Sequence, residues 1–246
     1  VFGGAGYTAA AAATSGLAVS LSIAPASAGV CSLSGSSVSI VGAGTCTVLA
    51  DQSGNADYDA APQAQQSFAV GKAAQSISFG STPPSGAVYS GPAYAVAATA
   101  SSGLAVLFSI APASAGVCTL AGASVTFTGV GTCTILADQA GNASYEAAPQ
   151  VQQSFAVAKA PQAITFTSTP PVVDGSVFFY NVSATAGSGF SVGFSLSAGS
   201  SGVCTLFGAW LFFYGNGTCV VRGDEGGDAN WLPAPQAQQS IVVTGH

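Results

Sequence analysis

The feature that most constrains this chain is that it repeats itself. Gly29-Val30-Cys31-Ser32-Leu33 returns as Gly116-Val117-Cys118-Thr119-Leu120 and again as Gly202-Val203-Cys204-Thr205-Leu206, at a spacing constant to within one residue. In the same register Gly-Thr-Cys recurs at Cys46, Cys133 and Cys219; Tyr58, Tyr145 and Trp231 align, as do Pro62, Pro149 and Pro235. Gln65-Gln66-Ser67, Gln152-Gln153-Ser154 and Gln238-Gln239-Ser240 close each copy. A unit of this length can hold a core of its own, unlike the short units of a solenoid, which bury a core only by stacking. The chain therefore reads as three domains in series, 1–71, 72–158 and 159–246. Their junctions, Val70-Gly71-Lys72-Ala73 and Val157-Ala158-Lys159-Ala160-Pro161, are too short for free tumbling.

Within the middle copy the apolar residues alternate with period two, the mark of half-buried strands. Ile77 and Phe79 alternate with serines. After Pro83-Pro84 come runs at Tyr94 and Val96, at Val106, Phe108 and Ile110, and at 117–120, 125–128, 133–137 and 154–157. About seven short strands punctuated by Gly, Pro and Ser, with no helical period, fit an all-β fold: three tandem immunoglobulin-like antiparallel β-sandwich domains. The aligned aromatics Tyr58, Tyr145 and Trp231 are expected in the core. Residues 9–30 resemble a signal-peptide core or a membrane span, but they lack a basic flank and recur at 97–117 inside a repeat, so they read as strand and loop.

Composition excludes whole classes of function. Charged residues are 5% of the chain, against about 25% in ordinary soluble domains. Three basic residues, Lys72, Lys159 and Arg222, face nine acidic ones, so there is no cationic surface for nucleic acid or for an anionic membrane. The only histidine, His246, is the last residue, where a chain end does not hold a general base in place. No catalytic residues, cofactor or metal site are expected.

The six cysteines fall one pair to a copy, Cys31 with Cys46, Cys118 with Cys133 and Cys204 with Cys219, each with fourteen intervening residues. Neither a Cys-x-x-Cys redox motif nor metal-ligand spacing is present, and one even pair per domain reads as a disulfide formed in an oxidising compartment. The turn at 51–58, with counterparts at 138–145 and 224–231, has the oxygens of a calcium loop. In the middle copy, however, only Asp138, Asn142 and Ser144 supply them, and backbone geometry alone explains Gly-Asn before an aromatic. Asn142, Asn181 and Asn216 stand in Asn-x-Ser/Thr sequons.

The strings Ser102-Gly103-Leu104-Ala105-Val106, Ala115-Gly116-Val117-Cys118, Gly131-Thr132-Cys133-Thr134-Ile135 and Ala148-Pro149-Gln150-Val151-Gln152 resemble the tandem bacterial Ig-like repeats of large secreted surface proteins, adhesins and extracellular fibres. The resemblance implies a secreted, structural role at the cell surface and brings no catalytic residue with it.

Copies one and three depart from the pattern. Val1 aligns with Val88, so copy one has no counterpart of the strand at Ile77 and Phe79. Either the chain is a window on a longer array, or a strand from another molecule fills the gap, taken from an end segment such as 240–243 or from elsewhere. In copy three, Phe212 and Tyr214 replace Thr126 and Thr128 at outward positions, with Trp210 beside them and Phe178, Phe179 and Tyr180 as a second cluster. These six residues form either a bulkier core or an exposed surface for assembly or binding. Leu49 and Leu136 are further apolar residues at outward positions. The sequence thus points to a subunit or segment of an extracellular fibre or adhesin stalk, polymerising head to tail with copies of itself. The alternative is a surface module whose third-copy aromatics bind a glycan or a host receptor.

Overall fold

The computed structural model describes residues 1–245; His246 lies outside the described residues. The fold is all-β and antiparallel, an immunoglobulin-like sandwich in three tandem copies. By packing, the chain divides into two compact units. One holds Val1–Thr82, Val96–Ser109 and Ile135–Gln153, and the other holds Pro83–Ala95, Ile110–Thr134 and the stretch from Ser154 onward, so the middle repeat contributes strands to both. Among the described residues no helix is long and apolar enough to cross a membrane.

Alternation dictates the strands. In repeat 1, Ser37-Val38-Ser39-Ile40 sends Val38 into the core with no exposed surface and leaves its serines outside. This strand lies between Tyr7–Thr8 and Cys31–Ser34, and a second sheet runs Ser20–Ile23, Gly44–Asp51, Ala64–Val70. The hairpin from Cys31–Ser34 to Ser37–Ile40 turns through Gly35 at φ 61°, a backbone conformation that a side chain opposes. Repeat 3 has the same plan: Phe179–Asn181, Trp210–Phe213 and Cys204–Phe207 form one sheet, and Gly193–Leu196, Gly217–Asp224 and Ala237–Val243 the other.

In repeat 2 the run through Tyr94 and Val96 is two strands rather than one. Tyr94–Ala95 pairs with Ser124–Phe127, whereas Ala98–Ala100 pairs with Ile77–Phe79. The chain changes partners at Val96, which is only 3% exposed, and the carbonyl of Ala97 accepts bonds from the amides of Gly80 and Ser81. Repeat 3 makes the same switch, with Ile164–Phe166 paired to Ala184–Ala186.

Each cystine joins one sheet to the other at a fully buried point. Cys31–Cys46, Cys118–Cys133 and Cys204–Cys219 have Cα separations of 5.7, 5.8 and 5.9 Å, and no cysteine is exposed beyond 1%. Beside each cystine lies a buried serine. Ser27 and Ser114 end short 3₁₀ turns that open with Pro25 and Pro112. The Ser114 hydroxyl donates to the Thr132 carbonyl (2.9 Å) and accepts from the Thr134 amide (3.0 Å), so it pairs the backbone on both sides of Cys133. Ser27 does the same at Thr45 and Thr47, and Ser200 binds the amide and carbonyl of Val220. The Pro-Ala-Ser string is therefore a structural plug, a role that apolar periodicity does not reveal.

Because removing the hydroxyl leaves a buried amide and carbonyl unpaired, Ser114→Ala is expected to cost about 1–3 kcal/mol. Denaturant unfolding of the oxidised protein checks this, and a loss below about 0.5 kcal/mol contradicts the plug.

Candidate interaction surfaces

The aligned aromatics are not core residues. Tyr145 packs edge-on against Phe2 of repeat 1, with ring centroids 5.3 Å apart, and Trp231 packs against Tyr89 of repeat 2 at 5.7 Å. They seal the joints between successive repeats, and Tyr58, which has no repeat before it in this chain, is 53% exposed. The turn leading to each ring is held by one side-chain oxygen. Asn142 Oδ1 accepts from the amides of Ser144 and Tyr145, Asn55 Oδ1 from those of Asp57 and Tyr58, and Asp228 Oδ1 from those of Asn230 and Trp231. These oxygens are committed to the backbone as in an Asx turn. Among the described residues no three His, Cys, Asp or Glu side chains come together as a metal cluster.

Just past each joint, a glutamine fastens the incoming chain. Gln75, 7% exposed, donates to Gln139 Oε1 and to the Glu146 carbonyl (2.6 Å) and accepts from the Ser102 hydroxyl. Gln162 likewise donates to Glu225 and to the Leu232 carbonyl (2.8 Å), and it accepts from the Ser188 amide. Two residues further on, Ile77 and Ile164 enter the sandwich. Ile77, Ala100 and Ala137 form a buried cluster, with Phe79, Val106 and Phe108 packed on it.

Repeat 1 has the receiving half of this arrangement only. Ala11–Ala13, the counterpart of Ala98–Ala100, is not a strand and has no partner strand among the described residues. Along it lies a cleft of ≈ 360 Å³ lined by Ala9, Ala11, Leu21, Val48, Ala50 and Ala64, continued by a smaller one of ≈ 90 Å³ that reaches Val19 and Gln52. Ser240–Val243, considered above as a strand donor, is not available for this. It pairs residue for residue with Gly217–Val220, and Ile241 and Val243 are each 1% exposed in the core of repeat 3.

On repeat 3 the strands Phe179–Asn181, Trp210–Phe213 and Cys204–Phe207 bring Phe179, Phe212 and Thr205 into one cross-strand row and Asn181, Trp210 and Phe207 into the next. Phe179 and Trp210 meet edge-on at 5.8 Å, and Phe207 is 81% exposed. Thr119 with Thr126 and Ser32 with Ser39 hold the corresponding positions in repeats 2 and 1. Phe178 is exposed as well, and so is Tyr214, whose hydroxyl donates to the Ser201 carbonyl (2.6 Å). Tyr180 differs: it is packed on the core, and its hydroxyl donates to Gln239 Oε1 (3.2 Å). Period two requires this, because Tyr180 pairs with the fully buried Leu211. Leu49 and Leu136 are half-buried. Nearby, the hydroxyl and amide of Ser176 bind the exposed Asp174 carboxylate and hold it below the ordinary carboxylate pKa.

No protein-family model and no curated protein matches the chain. Among solved structures, it is similar to mouse protocadherin-24 EC1-3 at 14% identity and a TM-score of 0.36, covering 100% of this chain and 94% of that one. It is also similar to mouse cadherin-23 EC22-24, at 15% identity and a TM-score of 0.35 over 92% of this chain and 85% of that one. For the S-layer protein rSbsC(31-844) the figures are 12% and 0.29, with 95% of this chain and 36% of that one covered. All three TM-scores lie below 0.5, so the likeness assigns no binding or assembly to this chain.

Gln75 and Gln162, with their partners Gln139 and Glu225, are the functional residues that apolar patterning passes over. The available signal is their register: a Gln two positions before each Ile, and Gln52, Gln139 or Glu225 at one equivalent position. Gln139→Ala strips the buried Gln75 amide of a partner and is expected to destabilise the protein by about 1–3 kcal/mol. Gln52→Ala breaks no hydrogen bond and is expected to cost less than half as much in the same urea titration. Equal losses contradict the clamp.

Proposed function

We propose that this chain is a structural subunit or segment of a bacterial extracellular fibre or adhesin stalk, built of three domains at 1–71, 72–158 and 159–246 and assembling head to tail with copies of itself through the open edge of repeat 1. The observation that carries the reading is the buried cystine in every sandwich. Tension applied between the ends of a domain passes through the chain, but the residues between its two cysteines are short-circuited by a covalent bond. The joints add to this, each sealed by a ring pair and a glutamine clamp. Disulfides of this kind belong to an oxidising compartment, which supports secretion to the cell surface. With only three basic residues the surface also offers trypsin-like proteases few sites.

The head-to-tail contact differs from the internal joints in one respect. Gly175 stands in repeat 3 where Phe2 and Tyr89 stand in repeats 1 and 2, so the last repeat brings no ring to the exposed Tyr58 of a following copy. Electron microscopy of concentrated oxidised protein is expected to show filaments with a subunit repeat, and a strict monomer contradicts the assembly. Under force, the fifteen-residue separation of each cysteine pair sets the readout. Reduction is expected to lengthen the contour released per domain by roughly 45 Å, from about 3.4 Å per residue less the Cα separation.

A second reading is favoured by one observation, the aromatic rows of repeat 3. Exposed rings of this density suit sugar faces or a receptor, which makes the chain a surface-binding module. Saturable binding on a glycan array that is lost in Trp210→Ala supports this reading, whereas filaments without any such binding support the fibre.

A further inference from the structure

The sheet of Phe179–Asn181, Trp210–Phe213 and Cys204–Phe207 carries a contiguous apolar outer face. Phe179, Phe207, Trp210 and Phe212 are 59, 81, 44 and 43% exposed, and Tyr214 follows Phe212 on the same side at 54%. At about 200 Å² for a whole aromatic side chain, these five rings present roughly 550 Å² to solvent. Apolar residues exposed singly need no explanation, but a joined patch of this size marks a contact. Two copies laid face to face cover about 1,100 Å² in rings alone, above the roughly 1,000 Å² that a specific interface must clear.

The chemistry of the face narrows what can cover it. No charged residue stands in either cross-strand row. The four acids of repeat 3 are engaged elsewhere: Ser176 binds Asp174, Gln236 donates to Asp224, Gln162 donates to Glu225, and Asp228 holds the turn before Trp231. A sugar, whose hydroxyls demand hydrogen-bond partners, meets only the side chains of Asn181 and Thr205 in the two rows. A chain of net charge −6 repels a second copy wherever acids face acids, and here none do.

The register also makes the face its own complement. One row is Phe179, Phe212, Thr205 and the next is Asn181, Trp210, Phe207, so the two small residues stand at diagonally opposite corners. A two-fold axis lying in the plane between two such faces, along the strands or across them, exchanges those corners with the ones that hold Phe179 and Phe207. Each of these two rings then lies over the partner's Thr205 or Asn181, while Trp210 and Phe212 meet rings at the centre. Repeat 2 has no such pattern: Ala95, Ser124 and Ala121 make up its second row, and Thr126 stands opposite Thr119 in its first. We propose that two copies of this chain pair face to face through repeat 3, in an isologous two-fold contact centred on Trp210 and Phe212. Such a contact closes on itself, so it goes beyond head-to-tail assembly and does not depend on it.

Sedimentation equilibrium of the full oxidised chain is expected to show a monomer–dimer equilibrium. Phe207→Ala and Trp210→Ser, which restore the residues of repeat 2, are each expected to weaken the dimer at least about tenfold, as truncation of an interface anchor does. An unchanged melting temperature shows that both variants are folded. Thr205→Phe adds apolar area but fills a corner that receives a ring, so it is expected to weaken pairing too. A face that is merely adhesive responds to the same substitution by associating more tightly. A chain that stays monomeric up to its solubility limit, pairing untouched by Phe207→Ala and Trp210→Ser, or pairing tightened by Thr205→Phe overturns the proposal. Dimers without filaments uphold it and count against head-to-tail growth. Filaments that form without dimers, unchanged in width by Trp210→Ser, overturn it and leave the fibre reading standing. A strict monomer that binds glycans saturably overturns it in favour of the surface-binding module.

Discussion

The bond that joins the two sheets of each sandwich is the constraint on which the rest depends. A chain this rich in Ala, Gly and Ser buries few large side chains: the fully buried set in repeat 1 is Cys31, Cys46 and Val38, with Val48, Val70 and Ala9 nearly so. Apolar burial at about 25 cal/mol per Å² gives such a core little margin over the entropy of ordering the strands. A covalent tie within the sandwich removes conformations from the unfolded chain, and the buried serine beside it satisfies the backbone that the tie forces inside. With that centre fixed, the ends of each sandwich are free to specialise.

The specialised ends explain how the repeats are joined. Each joint has a hydrophobic lid, Phe2 on Tyr145 or Tyr89 on Trp231, and a polar lock, Gln75 on Gln139 or Gln162 on Glu225. The lid excludes water from the first residues of the entering strand, and the lock sets its register. A one-residue slip would turn Ile77 and Phe79 to solvent, so a lock two residues ahead of Ile77 does more for specificity than for total stability. Short parallel bridges, Ala73 to Tyr145 and Ala160 to Trp231, place the chain for that lock.

Much of this was legible in the sequence, and what was missed has common causes. Alternation marks 125–128 as a half-buried strand, in which Val125 and Phe127 are buried, and puts Phe212 and Tyr214 outside, because period two is a direct image of the pleat. It fails for Trp231 and Tyr145, since a large aromatic at a register repeated in every copy looks the same whether it is buried within a domain or between two. Tyr94 and Val96 read as one run, because alternation does not record a change of partner at Val96. Gln75, Gln139 and Ser114 are invisible for a different reason: polar residues count as solvent-facing until their hydrogen bonds are known.

The departure of repeat 3 from its neighbours bears on a problem that every sandwich in series meets. A sandwich in series has edges and faces that must be covered or made unattractive, and repeats 1 and 2 blunt their outer faces with Ser32, Ser39, Thr119 and Thr126, the last two bonded to each other at 2.7 Å. Repeat 3 gives up this protection by placing Phe179, Phe207, Trp210 and Phe212 on the same face. In a chain with 5% charged residues there is little electrostatic repulsion to offset that exposure. A flat aromatic face of this kind selects mainly for another flat surface.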